Sequence, residues 1–332
     1  MKSFGRIISG LAMAAFVAAP ASALAQQDDE PFYLEAVIRY TEGGSAEKME
    51  RTYVKDEKDG VITYYRGPNG GTPYTIPVAD VVAIGYYADA ELDDARAAFE
   101  MRKFKVAAND FGPLMERYAP YKGMPLSPYP EIAYKRVFSL QECGEYDQAM
   151  KEWSELDKNL LSPYQRGMIS TVPAWVAFKQ KEWDRLVTIC EGLRQTEKLL
   201  PLGAQVRVSY LLGQGYNRGS KKDSKLALFE FYRAMTLDAA ESEEIVYDAA
   251  IEALKIYERD EQVKEYFLLE GRPEFNPNAG YTIPTRAAAW VAKMVESQRP
   301  AGKSLPADYK RFLDVYDAYA AEPAAGEAPA EE

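Results

Sequence analysis

Residues 143–153, CGEYDQAMKEW, decide the fold. Gly144 permits a turn, Tyr146 follows two residues later, and Ala149 and Trp153 continue at helical spacing. The stretch therefore reads as a turn opening a helix that keeps a small residue on one face. It holds no catalytic motif, and its spacing recurs. In EMRKFKVAANDF, QECGEYDQAMKEW and FKQKEWDRLVTIC an aromatic residue stands three positions before a small or aliphatic one: Phe104 and Ala107, Tyr146 and Ala149, Trp183 and Leu186. GSKKDSKLALFEF keeps Ala227 but has Ser224 in the aromatic place, and RDEQVKEYF offers Asp260 and Val263. Positions 104, 146, 183, 224 and 260 lie 42, 37, 41 and 36 residues apart. Upstream of each copy stand small residues: Ala95 and Ala98, Ala133, Ala174 and Ala177, Gly213, then Ala249 and Ala250. Two antiparallel helices can approach closely only where such residues face each other. The spacing predicts repeated helical hairpins.

GEYDQA, residues 144–149, resembles the G-x-Y-x-x-A turn of tetratricopeptide repeats, and YLLGQGY, residues 210–216, resembles their first-helix L-G-x-x-Y. The resemblance covers residues 90–270 and is fullest in the copy at 130–158. The spacings exceed the family's usual repeat of about 34 residues. The copy at 164–198 lacks the turn glycine, and Gly112-Pro113 is predicted to interrupt the second helix of the first copy. The resemblance implies a right-handed superhelix whose first helices line a concave groove. Mapping the outward positions of those helices gives Tyr134, Phe138, Trp175 and Phe178 and, allowing a two-residue insertion, Arg207, Tyr210, Gln214 and Asn217. Aromatics with one arginine and two amides suit an extended peptide, stacking on its side chains and bonding its backbone. In the alternative, the same aromatics pack between hairpins.

Residues 32–88 carry a different pattern. FYLEAVIRY alternates and is rich in aromatic and β-branched residues; ERTYVKDE, KDGVITYY, RGPNGGTPYTIP and VADVVAIGYY follow, separated by Gly43-Gly44, Asp59-Gly60 and Asn69-Gly70-Gly71. Turn residues between apolar runs predict five short strands in a small, bent sheet or barrel. The layout resembles the SH3-like or Sm-like barrels that precede helical repeats in some exported proteins. In that resemblance YTIPVADVVAIGY is a last hairpin turning at Pro77 to Asp80.

MKSFGR, IISGLAMAAFVAA and PASALA form the basic, apolar and small-residue regions of a secretory signal peptide ending at Ala25, which places the mature chain in the periplasm or outside the cell. The formal charge of −11 becomes −13 once Lys2 and Arg6 leave with it (−11 − 2). Such an acidic balance, without a basic stripe, opposes nucleic-acid binding. The mature chain has no segment apolar enough to span a membrane.

Histidine is absent, which removes Ser-His-Asp and Cys-His nucleophiles and every His-ligated metal. Cys143 and Cys190 either pair in an oxidising compartment or sit apart as small buried residues. The acidic clusters Glu91, Asp93, Asp94 and Asp238, Glu241, Glu243, Glu244 open predicted helices, where carboxylates favour the positive end of the dipole. LGQGYNRG is no dinucleotide loop, because no strand precedes it.

The sequence thus predicts a signal peptide (1–25), a leader (26–31), a small β domain (32–88), an all-α tetratricopeptide-like solenoid (89–321) and a disordered acidic tail (322–332). The fold class is α+β multidomain. The expected function is a non-catalytic envelope scaffold, without metal or cofactor, that binds a protein or peptide. The alternative is a glycan-binding protein or a carboxylate-based carbohydrate-active enzyme using the acidic clusters and aromatics.

Overall fold

The computed structural model describes residues 32–41, 47–87, 89–196, 200–237, 242–270, 272 and 282–320. The expected signal peptide, leader and acidic tail, the Gly43-Gly44 turn, and Asp238 and Glu241 of the second acidic cluster lie outside them. No described helix is long and apolar enough to cross a membrane.

Five strands form one antiparallel sheet: β1 (Leu34–Tyr40), β2 (Lys48–Lys58), β3 (Val61–Tyr65), β4 (Tyr74–Pro77) and β5 (Val81–Tyr86). Alternation in β1 sends Leu34, Ala36, Ile38 and Tyr40 inward. Asp59 and Gly60 both adopt positive φ, the primed turn that matches strand twist, and join β2 to β3. The sheet order is β4-β3-β2-β1-β5. This corrects the expected last hairpin: β4 and β5 lie at opposite edges, joined by one 3-10 turn at Val78–Asp80. In a flat sheet those edges stand four spacings, about 19 Å, apart. A 3-10 turn advances only about 2 Å per residue. The sheet must curl, and the register shift in β2 between Val54 and Asp56 supplies a bend.

Helices fill the remainder: α1 (Ala90–Glu100), α2 (Phe104–Tyr118), α3 (Tyr129–Glu142), α4 (Tyr146–Glu155), α5 (Pro163–Ile169), α6 (Val172–Lys179), α7 (Trp183–Gln195), α8 (Leu202–Arg218), α9 (Ser224–Leu237), α10 (Glu243–Glu258), α11 (Glu261–Leu269), α12 (Ile283–Gln298) and α13 (Arg311–Ala320). The α+β layout therefore stands. Asp89 caps α1 by accepting from the Glu91 and Leu92 amides.

The recurring sequence positions coincide with helix starts. Phe104, Tyr146, Trp183 and Ser224 each open a second helix, and Asp260 caps another. Three residues on, Ala107, Ala149, Leu186, Ala227 and Val263 are all buried. The small residues upstream are enclosed as well; a Cβ on Gly213 would run into the Phe231 ring at 2.6 Å.

Three hairpin turns share one geometry. Arg102, Gly144 and Lys181 have φ of 57°, 84° and 59°. The amides that follow, of Lys103, Glu145 and Glu182, reach back to the carbonyls of Ala98, Leu140 and Ala177 at 2.9 Å. This is the Schellman closure. Lys181 thus occupies the left-handed place where the sequence showed a missing glycine. A side chain there costs on the order of 1 kcal/mol. Lys181→Gly is expected to raise stability by up to about 1 kcal/mol, read as a higher urea midpoint at unchanged slope.

Two expectations are corrected. Pro113 does not interrupt α2, which runs unbroken through it. Arg136 lies against Gly112, where a Cβ would stand 3.5 Å from its guanidinium, and donates Nη1 to the Ala108 carbonyl. The interruption falls instead in the first helix of the third copy, split at Ser170 and Thr171 into α5 and α6. Pro173 at the start of α6 lacks the amide that would carry the helix across the break.

Beyond α10 the regular pairing changes: α11 touches α10 only slightly, α12 packs along α10, and α13 packs on α12.

One apolar cluster joins the sheet to α1–α5, ending at Val172 and including Ala204 of α8. A second runs from Ala174 to Phe312. The first crosses the sequence boundary at 88/89. Tyr121 donates to the Phe32 carbonyl at 2.9 Å, and Tyr86 donates to the Pro125 carbonyl at 2.7 Å.

Candidate functional site

The end of α1, the start of α2, and faces of α3, α5 and α8 border an open cavity of about 480 Å3. Phe99, Phe104, Tyr134, Phe138, Tyr164 and Met168 give it aromatic and apolar walls, with Glu100, Arg102, Lys135 and Arg207 at its borders. The Schellman turn at Arg102 reverses the chain so that Phe99 and Phe104 face one another, with ring centroids 5.8 Å apart. Phe138 lies 5.7 Å from Phe99 and 5.8 Å from Phe104. One helical turn earlier, Tyr134 stands 5.8 Å from it.

The cations around this cavity are engaged. Lys135 sits 4.8 Å over the Phe99 ring and pairs with Glu100 and Glu131 at 3.3 and 3.2 Å. Burial pushes the Glu131 carboxyl up, but hydrogen bonds from Arg96 and Lys135 outweigh it and hold the group below its ordinary value. Arg207, only 2% exposed, grips Glu142 with two bonds of 3.0 and 2.8 Å. It also donates to the Gly203 carbonyl and the Ser242 hydroxyl, and lies 5.1 Å over Phe138. A single side chain therefore ties α3, α8 and the cap of α10 together.

Of the eight positions mapped from the resemblance, Tyr134, Phe138 and Arg207 line this cavity. Trp175, Phe178 and Tyr210 form a second aromatic group: Trp175 stacks on Tyr146 at 5.5 Å and lies 5.6 Å from Phe178 and 6.0 Å from Tyr210. Gln214 and Asn217 are buried in α8. Burial pushes the Tyr210 phenol upward. The resemblance implied outward positions, yet all eight except the half-buried Phe178 are buried. The reason is steric: rings of neighbouring hairpins fill the space between them. Among the described residues, the buried Trp175 Nε1 and Gln214 Oε1 have no hydrogen-bond partner. Phe99, Lys135, Tyr164 and Met168 were not singled out from sequence. Phe104 was noted only as a helix-opening aromatic.

Of the acidic clusters, Glu91 pairs with Arg117 at 2.6 Å, Asp93 with Arg96 at 3.0 Å and Glu244 with Lys303 at 3.0 Å; Glu243 and Glu244 open α10. Among the described residues no group of three or more histidine, cysteine, aspartate or glutamate side chains could hold a metal ion. Cys143 and Cys190 are unpaired, and burial pushes the Cys190 thiol up to about 12.

Asp248, at an exposed position of α10, has its pKa raised, first by partial desolvation of the carboxyl and then by Glu244 and Glu252 against the opposing pull of Lys303. A carboxyl raised in the fold destabilises it when ionised, and that penalty fades as pH falls through the folded-state pKa. Asp248→Asn is expected to raise the urea midpoint at neutral pH. The advantage should shrink in acid, where the wild-type carboxyl is itself neutral.

Comparison of the chain with known protein families, with curated proteins and with solved structures finds no match, so the cavity's residues and geometry carry the functional reading.

Proposed function

We propose that the chain is a non-catalytic scaffold of the bacterial envelope. It joins a small SH3-like or Sm-like β domain to a tetratricopeptide-like solenoid and holds an extended segment of a partner protein against the first helices. The signal segment ending at Ala25 supports export to the periplasm or beyond. The recurring hairpins and the shared turn at Arg102, Gly144 and Lys181 support the repeat architecture.

One observation carries the reading of the site: an aromatic-walled cavity opens between hairpins, and its bordering lysine already holds carboxylates of the same chain. A site whose charges are satisfied internally selects an apolar or aromatic side chain, with backbone bonds from the rim. Peptide display against the exported chain tests this. Enriched sequences should share a large apolar residue, and Phe138→Ala should weaken their binding roughly tenfold or more. An unenriched library, or binding unchanged by Phe138→Ala and Phe104→Ala together, counts against the reading.

A further inference from the structure

The two edges of the β-sheet are treated differently. β4 is four residues long, ends in Pro77 and runs straight into the 3-10 turn, devices that blunt an edge. β5, Val-Val-Ala-Ile-Gly-Tyr, contains neither charge nor proline. Among the described residues β1 is its only hydrogen-bonded strand neighbour. A register shift sets Val82 aside as a bulge, leaving Ala83 to Tyr86 as a regular open edge that Tyr87 extends through its amide bond to the Glu35 carbonyl.

Gly85 lies inside this edge, and none of the described residues explains it. Its φ is not positive, and a Cβ built there would meet nothing within 4 Å. Glycine weakens a strand and often marks the close approach of another backbone. On the outer face, Ala83 and Gly85 make a shallow strip beside Tyr87, which is 46% exposed. Surrounding charges cancel locally: Arg51 bonds Glu35 and lies 5.0 Å over the Tyr87 ring, while Arg39 pairs with Glu47 at 3.4 Å.

We infer that β5 pairs antiparallel with β5 of a second copy of this chain, about a two-fold axis through Gly85. A two-fold axis makes each edge its own complement. Gly85 then faces Gly85 of the second copy, Ile84 faces Tyr86, and Ala83 faces Tyr87. The Tyr87 ring covers Ala83 and Gly85 across the seam, as aromatic residues cover glycine in paired strands. A second copy is the occupant that the charges favour. The strand offers no charge to recognise a charged partner, and self-pairing in this register sets no like charges opposite one another.

Sedimentation of the purified chain across a concentration series tests the pairing. The wild type is expected at twice the chain mass. Gly85→Lys, whose Cβ would meet none of the described residues of one copy within 4 Å, sets two lysines opposite each other on the axis and should weaken association on the order of a hundredfold. Gly85→Glu should do the same alone, and mixing the two variants should restore the dimer. Tyr87→Ser provides a second probe and should also weaken association. Phe229→Lys, on an exposed face of α9, should leave it unchanged. A monomeric wild type, a dimer that survives Gly85→Lys, or a lysine–glutamate mixture that stays monomeric overturns the inference.

Discussion

Ala149→Arg is expected to abolish most of the stability of the chain. Ala149 is fully buried three residues into α4, a helix that packs on both α3 and α6. Overpacking a filled interior costs about 1–3 kcal/mol. Forcing a guanidinium into this filled interior adds roughly several kcal/mol more through desolvation of its charge. Domains of this kind are stable by only about 5–15 kcal/mol in total. The variant should therefore show a greatly lowered urea midpoint by circular dichroism, with Ala149→Ser losing far less. A variant that kept the wild-type midpoint would mean that α4 is not closely packed at this position.

Arg207→Met is the second large effect. Removing one member of a buried ion pair costs about 3–5 kcal/mol, because the remaining charge loses its partner while still desolvated. Here Glu142, 15% exposed at its side chain, would be left behind. Replacing both residues with methionine is expected to recover most of that loss, since a buried pair contributes little net stability against apolar side chains of similar volume. A complete double-mutant cycle of urea midpoints separates the pair from the bonds that Arg207 makes to Gly203 and Ser242. Equal loss in the single and double variants would show that those two bonds, and not Glu142, carry the effect.

The hairpins were legible because their determinants are local. A small or aliphatic residue three positions after each helix-opening residue and small residues on each first helix follow from close helix approach, and both survive in the sequence even where the aromatic is replaced by Ser224 or Asp260. Lys181 shows the limit of that reading. The backbone takes the left-handed turn without a glycine because the carbonyl of Ala177 and the packing of α6 on α7 enforce it. Strand order was not legible, because the short link at Val78–Asp80 looks the same whether it closes a hairpin or crosses to the far edge of a curled sheet. The cavity was half legible. Tyr134, Phe138 and Arg207 follow from the first-helix positions that the tetratricopeptide resemblance implies, whereas Phe99, Tyr164 and Met168 reach it through the reversal at Arg102 and the break at Ser170, neither of which that mapping encodes.

The continuity of the first apolar cluster bears on how such a chain could be taken apart and reused. The composition changes at 88/89, yet Leu34, Ile38, Ile62 and Ile84 share one interior with Phe111, Leu114, Ile132 and Ile169. A gene fragment ending at residue 88 would encode the sheet without the helices that share its interior, and its product should aggregate or be degraded. The shortest portion that keeps this first interior largely whole ends near Thr171, at the break between α5 and α6. Shuffling between genes would thus transfer the sheet together with its first two hairpins as one inherited block, leaving the later helices as the part free to vary in number.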